Sequence, residues 1–323
     1  MVIFALLVPR AHAADIFVPS QYSTIQAAVN AAVNGDTIIV TDSATYIETT
    51  VNISATTPLT IRATNSPPAI LSGYFQFLSA GTVTTIEGFT IQDGAYGLSL
   101  IGADLTVIAN DLEIKNVGSY AVLFNATGQS MYMNRCSMEA GASYGVLMNA
   151  GNGTLGLTNC VIFGGGVPSI YSPGAGSSLS LYNCTLAHDT TTGSSIFLNA
   201  GTGQSLFVKN TIFYQGDNGI FNNAAATVTE DYNLFYGILG NTGVGTGPND
   251  IIGPPGNDPV FTNAAGRDYH ILPGSAAIDA GLDFSSLYTD DLDGNLRPAG
   301  STFDIGAYEL GASGVAGMLI EVR

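Results

Sequence analysis

Cysteine recurs at a fixed interval in this chain, and that interval constrains the possible folds more than any other feature. Cys136, Cys160 and Cys184 are 24 residues apart, and each lies in a short segment that alternates inward and outward positions. The same segment returns at similar spacing with other residues in the cysteine position: Phe89, Leu112, Thr211 and Asn233. Seven copies of one segment predict a solenoid, in which each coil of chain stacks on the one before it.

Each repeat contains three short apolar segments that are typical of strands. The first is the cysteine segment. A second follows about ten residues later, at 96–100, 120–124, 144–148, 169–172, 195–199 and 219–223. A third precedes the next cysteine position, at 105–109, 130–134, 154–158, 179–182 and 205–209. Corresponding strands should pair about 4.8 Å apart in parallel sheets, which predicts an all-β parallel β-helix.

Residues one period apart become vertical neighbours in such a helix. The cysteines then form one inward-facing column of small apolar residues; a metal or redox site is the alternative, although no second ligand type recurs beside them. The residue before the cysteine position is an asparagine in three coils: Asn159, Asn183 and Asn210. Asparagine tolerates the left-handed backbone of a sharp turn, and its amide can bond the next copy. A second column is expected to stack, with a sugar platform as the alternative: Tyr96, Tyr120 and Tyr144.

The two ends of the chain depart from the period. Residues 23–34 are predicted to form a helix that caps the solenoid, with Ser23 and Gln26 as a capping box and Gly35 as the stop. Residues 236–323 are rich in Gly, Pro and Asp. They are expected to form an irregular region that packs on the β-helix, which spans 14–235, or on a partner.

Charge and the N-terminal residues bear on partners and location. The net charge is −17, which argues against nucleic acid, because binding it requires clustered Lys and Arg. Residues 1–13 resemble the end of a secretory signal, with an apolar run followed by Ala11-His12-Ala13; an ordinary first strand is the alternative. No later segment is long and apolar enough for a membrane span. We therefore expect an extracellular or cell-surface protein, whose true N-terminus could lie upstream.

The stretches "VPSQYSTIQAAVNAAVNGDTIIV" and "IEGFTIQDG" resemble the start of right-handed parallel β-helix proteins of the pectin-lyase-like superfamily. The later stretch "DPVFTNAAGRDYHILPGSAAIDAG" is similar to the C-terminal module of secreted bacterial β-helix proteins, many of them on the cell surface. The resemblance implies a right-handed helix with three sheets. It also implies that an active site, where one exists, lies outside one sheet and uses Lys or Arg with calcium, or paired carboxylates.

The outward positions of the second strand lack those groups. They are Ser99, Leu123, Leu147, Tyr171, Phe197 and Phe221, none of which ionises near neutral pH. An apolar strip of this length would be unusual on a soluble monomer, so we expect the last five to be covered, either by residues 236–310 or by another copy. The apolar segment 318–322 could pair with an open sheet edge of its own chain or of a partner.

Two small groups of polar residues are candidate sites. His188 and Asp189, with Lys209, form the best catalytic cluster in the sequence, although their spacing does not require proximity and a solvated turn is the alternative. Asp291, Asp293 and Asn295 alternate like the start of a calcium loop, but the expected downstream Glu is missing, so a solvated turn is again the alternative. No cofactor is required by the sequence, and calcium, if bound, would be structural.

Three functions remain open from the sequence. The first is a secreted, non-catalytic structural or cell-surface protein that self-associates, for example into filaments, or adheres. The second is a polysaccharide lyase or glycoside hydrolase. The third is a carbohydrate-binding module that uses three aromatic residues in one outward column: Phe163, Tyr214 and Tyr236. Packing of these rings beneath the C-terminal region is the alternative to sugar binding.

Overall fold

The computed structural model describes residues 13–33, 35–54, 58–165, 168–199, 202–223, 225–253 and 256–311. The predicted signal segment, except for Ala13, and the apolar segment 318–322 lie outside these residues. Within them the chain is a right-handed parallel β-helix of about nine turns, with about 24 residues per turn and three sheets. The predicted fold class is confirmed.

Third strands form the most regular sheet. In spatial order, its ten strands are β1 (Asp15–Val18), β2 (Thr37–Val40), β4 (Leu59–Ala63), β6 (Val83–Glu87), β8 (Thr106–Asn110), β11 (Ser130–Asn134), β14 (Thr154–Thr158), β17 (Ser178–Tyr182), β20 (Ser205–Lys209) and β22 (Thr227–Asp231). Every neighbouring pair is parallel, and partners lie one coil apart, as Met131 and Leu155 do. Inward and outward positions therefore alternate in step from coil to coil.

The first and second strands line the other two faces. Separate first strands are β9 (Glu113–Lys115), β12 (Ser137–Glu139), β15 (Val161–Gly164) and β18 (Thr185–His188), and separate second strands are β10 (Tyr120–Phe124), β13 (Tyr144–Met148), β16 (Ile170–Ser172) and β19 (Ser194–Leu198). In other coils one bent strand serves both faces: β3 (Thr45–Ile53), β5 (Ala69–Phe77), β7 (Phe89–Leu100), β21 (Ile212–Asn222) and β23 (Leu234–Thr242). The short strand β24 (Ile251–Ile252) pairs with the start of β23. The expected boundary after residue 235 thus falls inside β23.

Inward-facing apolar residues stack from coil to coil and form one continuous hydrophobic core. The three cysteines are fully buried free thiols in this core. They are stacked on one another, since β12, β15 and β18 pair in register and the main chain continues that pairing at the cysteines. The stacking follows from the repeat, because equal coil lengths place equivalent residues at equal heights.

The N-terminal cap is a short helix, α1 (Ile25–Ala31). The predicted capping box is wrong: the N-cap is Thr24, whose hydroxyl accepts a hydrogen bond from the Ala27 N–H at 3.1 Å. The Glu48 carboxylate of β3 accepts two more, from the N–H groups of Ile25 and Gln26 at 2.7 and 2.8 Å. A residue from the next coil therefore satisfies the helix N-terminus, which local sequence spacing does not reveal.

The C-terminal segment, defined as residues 256–311, contains an antiparallel hairpin of β25 (Phe261–Asn263) and β26 (Asp268–Ile271), joined through a 3-10 helix at Ala264–Gly266. The rest is mostly turns and bends. Its interior contains a buried pair, Arg297 and Glu309, with nitrogen and oxygen 3.8 Å apart. Burial raises the pKa of Glu309 to about 7.

Candidate functional site

The aromatic strip runs along the outside of the second strands, and we define it as seven rings: Tyr74, Tyr96, Tyr120, Tyr144, Tyr171, Phe197 and Phe221. Successive ring centroids are 4.8 to 5.9 Å apart. The first of the predicted tyrosine stacks is nearly parallel, with 7° between the planes of Tyr96 and Tyr120. The chain thus carries one unbroken ladder of rings over seven consecutive coils.

The residues of the outward column predicted from the sequence also pair in register. Pairing places Ser99 beside Leu123, Leu123 beside Leu147, and so on through Tyr171 and Phe197 to Phe221. Its exposure differs from the expectation, because Ser99 is fully buried and Leu123 and Leu147 are only 6% and 8% exposed. The accessible part is therefore the half-buried rings of the strip rather than a long aliphatic surface.

The C-terminal segment packs on a different face from the one expected. It lies over the asparagine turns: Asn159 donates to the carbonyl of Asp290 at 2.9 Å, and Asn183 to that of Asp304 at 2.7 Å. Asn210 both donates to the carbonyl of Leu282 and accepts its N–H, each at 2.8 Å. The left-handed turns, with φ from 48° to 52°, thus present buried amides that hold the segment in place.

The segment also fills a gap on the first strands. Ala187 lies in register between Phe163 and Tyr214, so a small residue interrupts an aromatic column. Tyr269 packs in this gap, 98% buried, with Ala187 and Val161. The small side chain of Ala187 provides the space that the tyrosine ring occupies.

The three aromatic residues proposed for sugar binding lie beside this contact. Phe163 contacts the Tyr269 ring at 6.1 Å and the Arg267 guanidinium at 4.9 Å. Tyr214 contacts Phe261 edge-on at 5.0 Å and stacks on Tyr236 at 5.8 Å. Packing against the C-terminal segment accounts for Phe163 and Tyr214, and sugar binding by these rings stays a prediction.

The catalytic cluster expected from the sequence is only partly assembled. His188 and Asp189 lie together at the end of β18, whereas Lys209 ends β20 in a different sheet, with its ammonium 4.0 Å from Asp231. The cation beside Asp189 is Arg267, at 3.3 Å. Sequence reasoning missed Arg267, because it comes from the hairpin turn 78 residues later.

These residues surround a pocket of about 390 Å³ between the hairpin and the first strands. Its lining includes His188, Asp189, Tyr214, Gln215, Ala264 and Arg267. His188 is 2% exposed, and neither ring nitrogen has a hydrogen bond of normal geometry to the described residues. Burial lowers the pKa of His188, although the Gly165 backbone and the charge of Asp189 favour the protonated ring.

The residues proposed for calcium form a hydrogen-bonded turn. Asp291 is 1% exposed, and one carboxylate oxygen accepts the N–H groups of Asp293 and Asn295 at 3.0 and 2.8 Å. The other accepts the N–H of Glu309 at 3.1 Å and the Asn295 amide at 3.3 Å. Asp293 accepts instead from His270 at 2.7 Å. Among the described residues no group of three acidic, His or Cys side chains is arranged to hold a metal, and calcium binding stays untested.

Two further ionisable clusters were not anticipated. His270 lies between Asp268 and Asp293 at 2.5 and 2.7 Å; burial lowers its pKa, but these two hydrogen bonds outweigh burial and raise it. Burial and a hydrogen bond to Asp250 raise the pKa of Glu230 to about 8. Glu230 continues the inward column of Val208 on the last third strand, so a polar carboxyl ends the core. The sequence signal for this cluster was an acidic residue at an inward position that is apolar in the other coils.

Residues 76–235 match the family model described as right handed beta helix region. The resemblance predicted from the sequence is thereby confirmed at the level of the fold. No curated protein sequence matches this β-helix protein.

Solved structures with a similar fold come from several proteins. ORF18 of Geobacillus virus E2 has a TM-score of 0.42 at 10% identity, and the match covers 66% of this chain but only 57% of that one. The pectate lyase Pel9A has a TM-score of 0.47 at 15% identity, covering 88% and 90% of the two chains. An alginate lyase from Paenibacillus sp. str. FPU-7 has a TM-score of 0.41 at 14% identity, covering 72% and 99%. These likenesses concern the fold.

The helices in the described part of this β-helix protein were also compared with the length of a membrane span. None of them is long and apolar enough to cross a bilayer.

Proposed function

We propose that this protein is a non-catalytic β-helix scaffold, exported from the cell, whose copies associate through the aromatic strip. The observation that carries this proposal is the continuity of the strip over seven coils. At a strand spacing of about 4.8 Å, its six intervals extend roughly 29 Å along the helix axis. Aromatic residues are enriched in protein interfaces, where a rigid ring contributes a large contact area.

The geometry of the strip suits a second copy of the same chain. Under a two-fold axis the strip of one copy can lie against the strip of another, and most soluble homo-oligomers use such symmetric interfaces. The outward column from Ser99 to Phe221, which shares its last three rings with the strip, carries no side chain that is charged near neutral pH, so two copies would not bury unpaired charges there.

The basic residues support a scaffold rather than a base catalyst. Five of the described Lys and Arg side chains are engaged in ion pairs with carboxylates: Lys115, Arg135, Lys209, Arg267 and Arg297. Lys115 pairs with Glu113 at 2.8 Å, and Glu139 binds Arg267 of the C-terminal segment. Arg135 and Arg267 join the β-helix to the C-terminal segment, and Lys209 joins two neighbouring coils.

Sedimentation velocity over a range of protein concentrations tests the proposal. We expect the wild type to form dimers or larger species, and Phe197→Glu to stay monomeric, because a charge in the strip would be buried without a partner. Tyr132→Glu is the matched control, since Tyr132 is an exposed aromatic residue on the third-strand sheet. A wild type that is monomeric throughout, or assembly that persists in Phe197→Glu, would refute self-association through the strip.

The pocket beside His188 favours a second function, which is binding or processing of carbohydrate. Its neutral imidazole, carboxylate and guanidinium converge from separate elements. New reducing ends or unsaturated products from a panel of polysaccharides would support an enzyme. Binding without turnover would support a carbohydrate-binding protein.

A further inference from the structure

The strongest unexplained feature of the molecule is the His188 side chain. It is 2% exposed and lines the pocket, yet neither ring nitrogen makes a hydrogen bond of normal geometry to the described residues, although the Gly165 backbone lies close enough to act on the ring. Leaving a buried polar group without a partner costs about 1–3 kcal/mol. A partner from solution, which can enter the pocket and bond the ring, would remove that cost.

Glycine flanks His188 in both neighbouring coils. Gly164 pairs directly with His188 in the preceding coil. In the following coil, a Cβ atom added to Gly216 would lie 3.4 Å from Cδ2 of His188. Both glycines also have positive φ, 144° at Gly164 and 125° at Gly216, so the backbone conformation alone favours glycine there. The imidazole ring therefore lies between two coils that carry no side chain beside it.

The protonation state of His188 indicates which chemistry it can bind. Burial lowers its pKa, so the ring is neutral near neutral pH and carries one donor and one acceptor nitrogen. A hydroxyl group also donates and accepts, and it can bond either nitrogen. Asp189 offers acceptor oxygens, and Gln215 offers an amide.

The local charge argues against an acidic ligand. Arg267 is the cation that lines the pocket, and it is shared between the carboxylates of Asp189 and Glu139. Asp217 adds a further negative charge that acts on His188. With one guanidinium between several carboxylates and a neutral imidazole, the pocket has no excess positive charge to attract an anion.

We propose that this pocket binds one neutral hexopyranose ring, free or at the end of a glycan chain. Its volume of about 390 Å³ is in the range of small-molecule sites. Hydroxyls of the sugar would bond His188, Asp189 and Arg267, and the Tyr214 ring provides an apolar wall against its C–H groups. The proposal rests on the second function proposed above, and it does not depend on self-association, because the strip lies on another face of the β-helix.

Binding can be measured by calorimetry and by saturation-transfer NMR with methyl glycosides of glucose, galactose and mannose. Galacturonic acid serves as the acidic comparison. We expect saturable binding of at least one neutral glycoside, and movement of the His188 imidazole 15N signals on addition of that glycoside. Binding of the methyl glycoside alone indicates a free monosaccharide, and equal binding of a neutral disaccharide of that sugar indicates a chain end.

Asp189→Asn provides the mutational test, since it leaves the buried histidine in place. We expect it to weaken binding at least tenfold. Asp111→Asn is the matched control, because Asp111 is also a half-exposed partner of an arginine but lies outside the pocket. Failure of all the neutral glycosides to bind, tighter binding of galacturonic acid, or equal affinities of the two variants would overturn the proposal.

Discussion

Asn183 joins the β-helix to the C-terminal segment more extensively than the other turn asparagines, and its replacement gives the sharpest test of how the segment is held. Its amide nitrogen donates to the carbonyls of Asp304 and Gly306 at 2.7 and 3.1 Å. Its amide oxygen accepts from Asn210 at 3.1 Å and from the Tyr288 hydroxyl at 2.7 Å. All four bonds lie in a site where Asn183 itself is fully buried.

The expected cost follows from these bonds and from the backbone. Each buried hydrogen bond contributes about 1 kcal/mol net, so loss of four should lower the free energy of unfolding by about 4 kcal/mol. Asn183 has φ of 48°, a left-handed conformation that costs most side chains about 1–2 kcal/mol more than glycine. We therefore expect Asn183→Gly to lose about 4 kcal/mol, and Asn183→Ala about 1 kcal/mol more.

Urea unfolding followed by circular dichroism measures the total effect, and hydrogen exchange detected by mass spectrometry locates it. Exchange should increase first in residues 256–311, because the lost bonds tie that segment to the turn. Asn149→Ala is the control; Asn149 is exposed and bonds Asn125 weakly, at 3.4 Å, so its effect should be within about 0.5 kcal/mol. An Asn183→Gly protein with the wild-type urea midpoint would refute the reasoning.

Three further predictions concern the segment, pH and calcium. Tyr269→Ala should lower the free energy of unfolding by about 3–5 kcal/mol. Ala187→Phe should fill the gap and displace the Tyr269 ring. If limited proteolysis cleaves both variants no faster than the wild type, this packing is contradicted. Glu230 binds its proton more tightly when folded, with its pKa raised from 4.5 to about 8, so unfolding free energy should fall as pH rises through that interval, and Glu230→Gln should flatten the fall. Both Asp291 oxygens already accept hydrogen bonds, so calcium or a chelator should leave the melting temperature unchanged. A higher melting temperature with calcium would instead support calcium binding at this turn.

Much of the architecture could be predicted from the sequence, because a repeat makes local patterns report on distant contacts. The predicted third strands match β11 and β14 residue for residue. Predictions failed where a partner came from outside the repeat. Glu48 caps a helix about 23 residues before it, and Arg267 occupies the place beside Asp189 that was assigned to Lys209. The Glu48 separation is close to one coil, but the helix it caps is not part of the repeat, and the 78-residue separation of Arg267 from Asp189 is not set by the repeat.

The sequence by itself determined the coil length, the three strands in each coil and which residues stack, because vertical neighbours in a solenoid are fixed by counting along the chain. Only the tertiary structure decided where the C-terminal segment lies. Its docking depends on the Ala187 gap and on amides at left-handed turns, which become one surface only after the coils have stacked. The pocket at His188 arises at that surface, so its chemistry depends on residues that the period does not bring together.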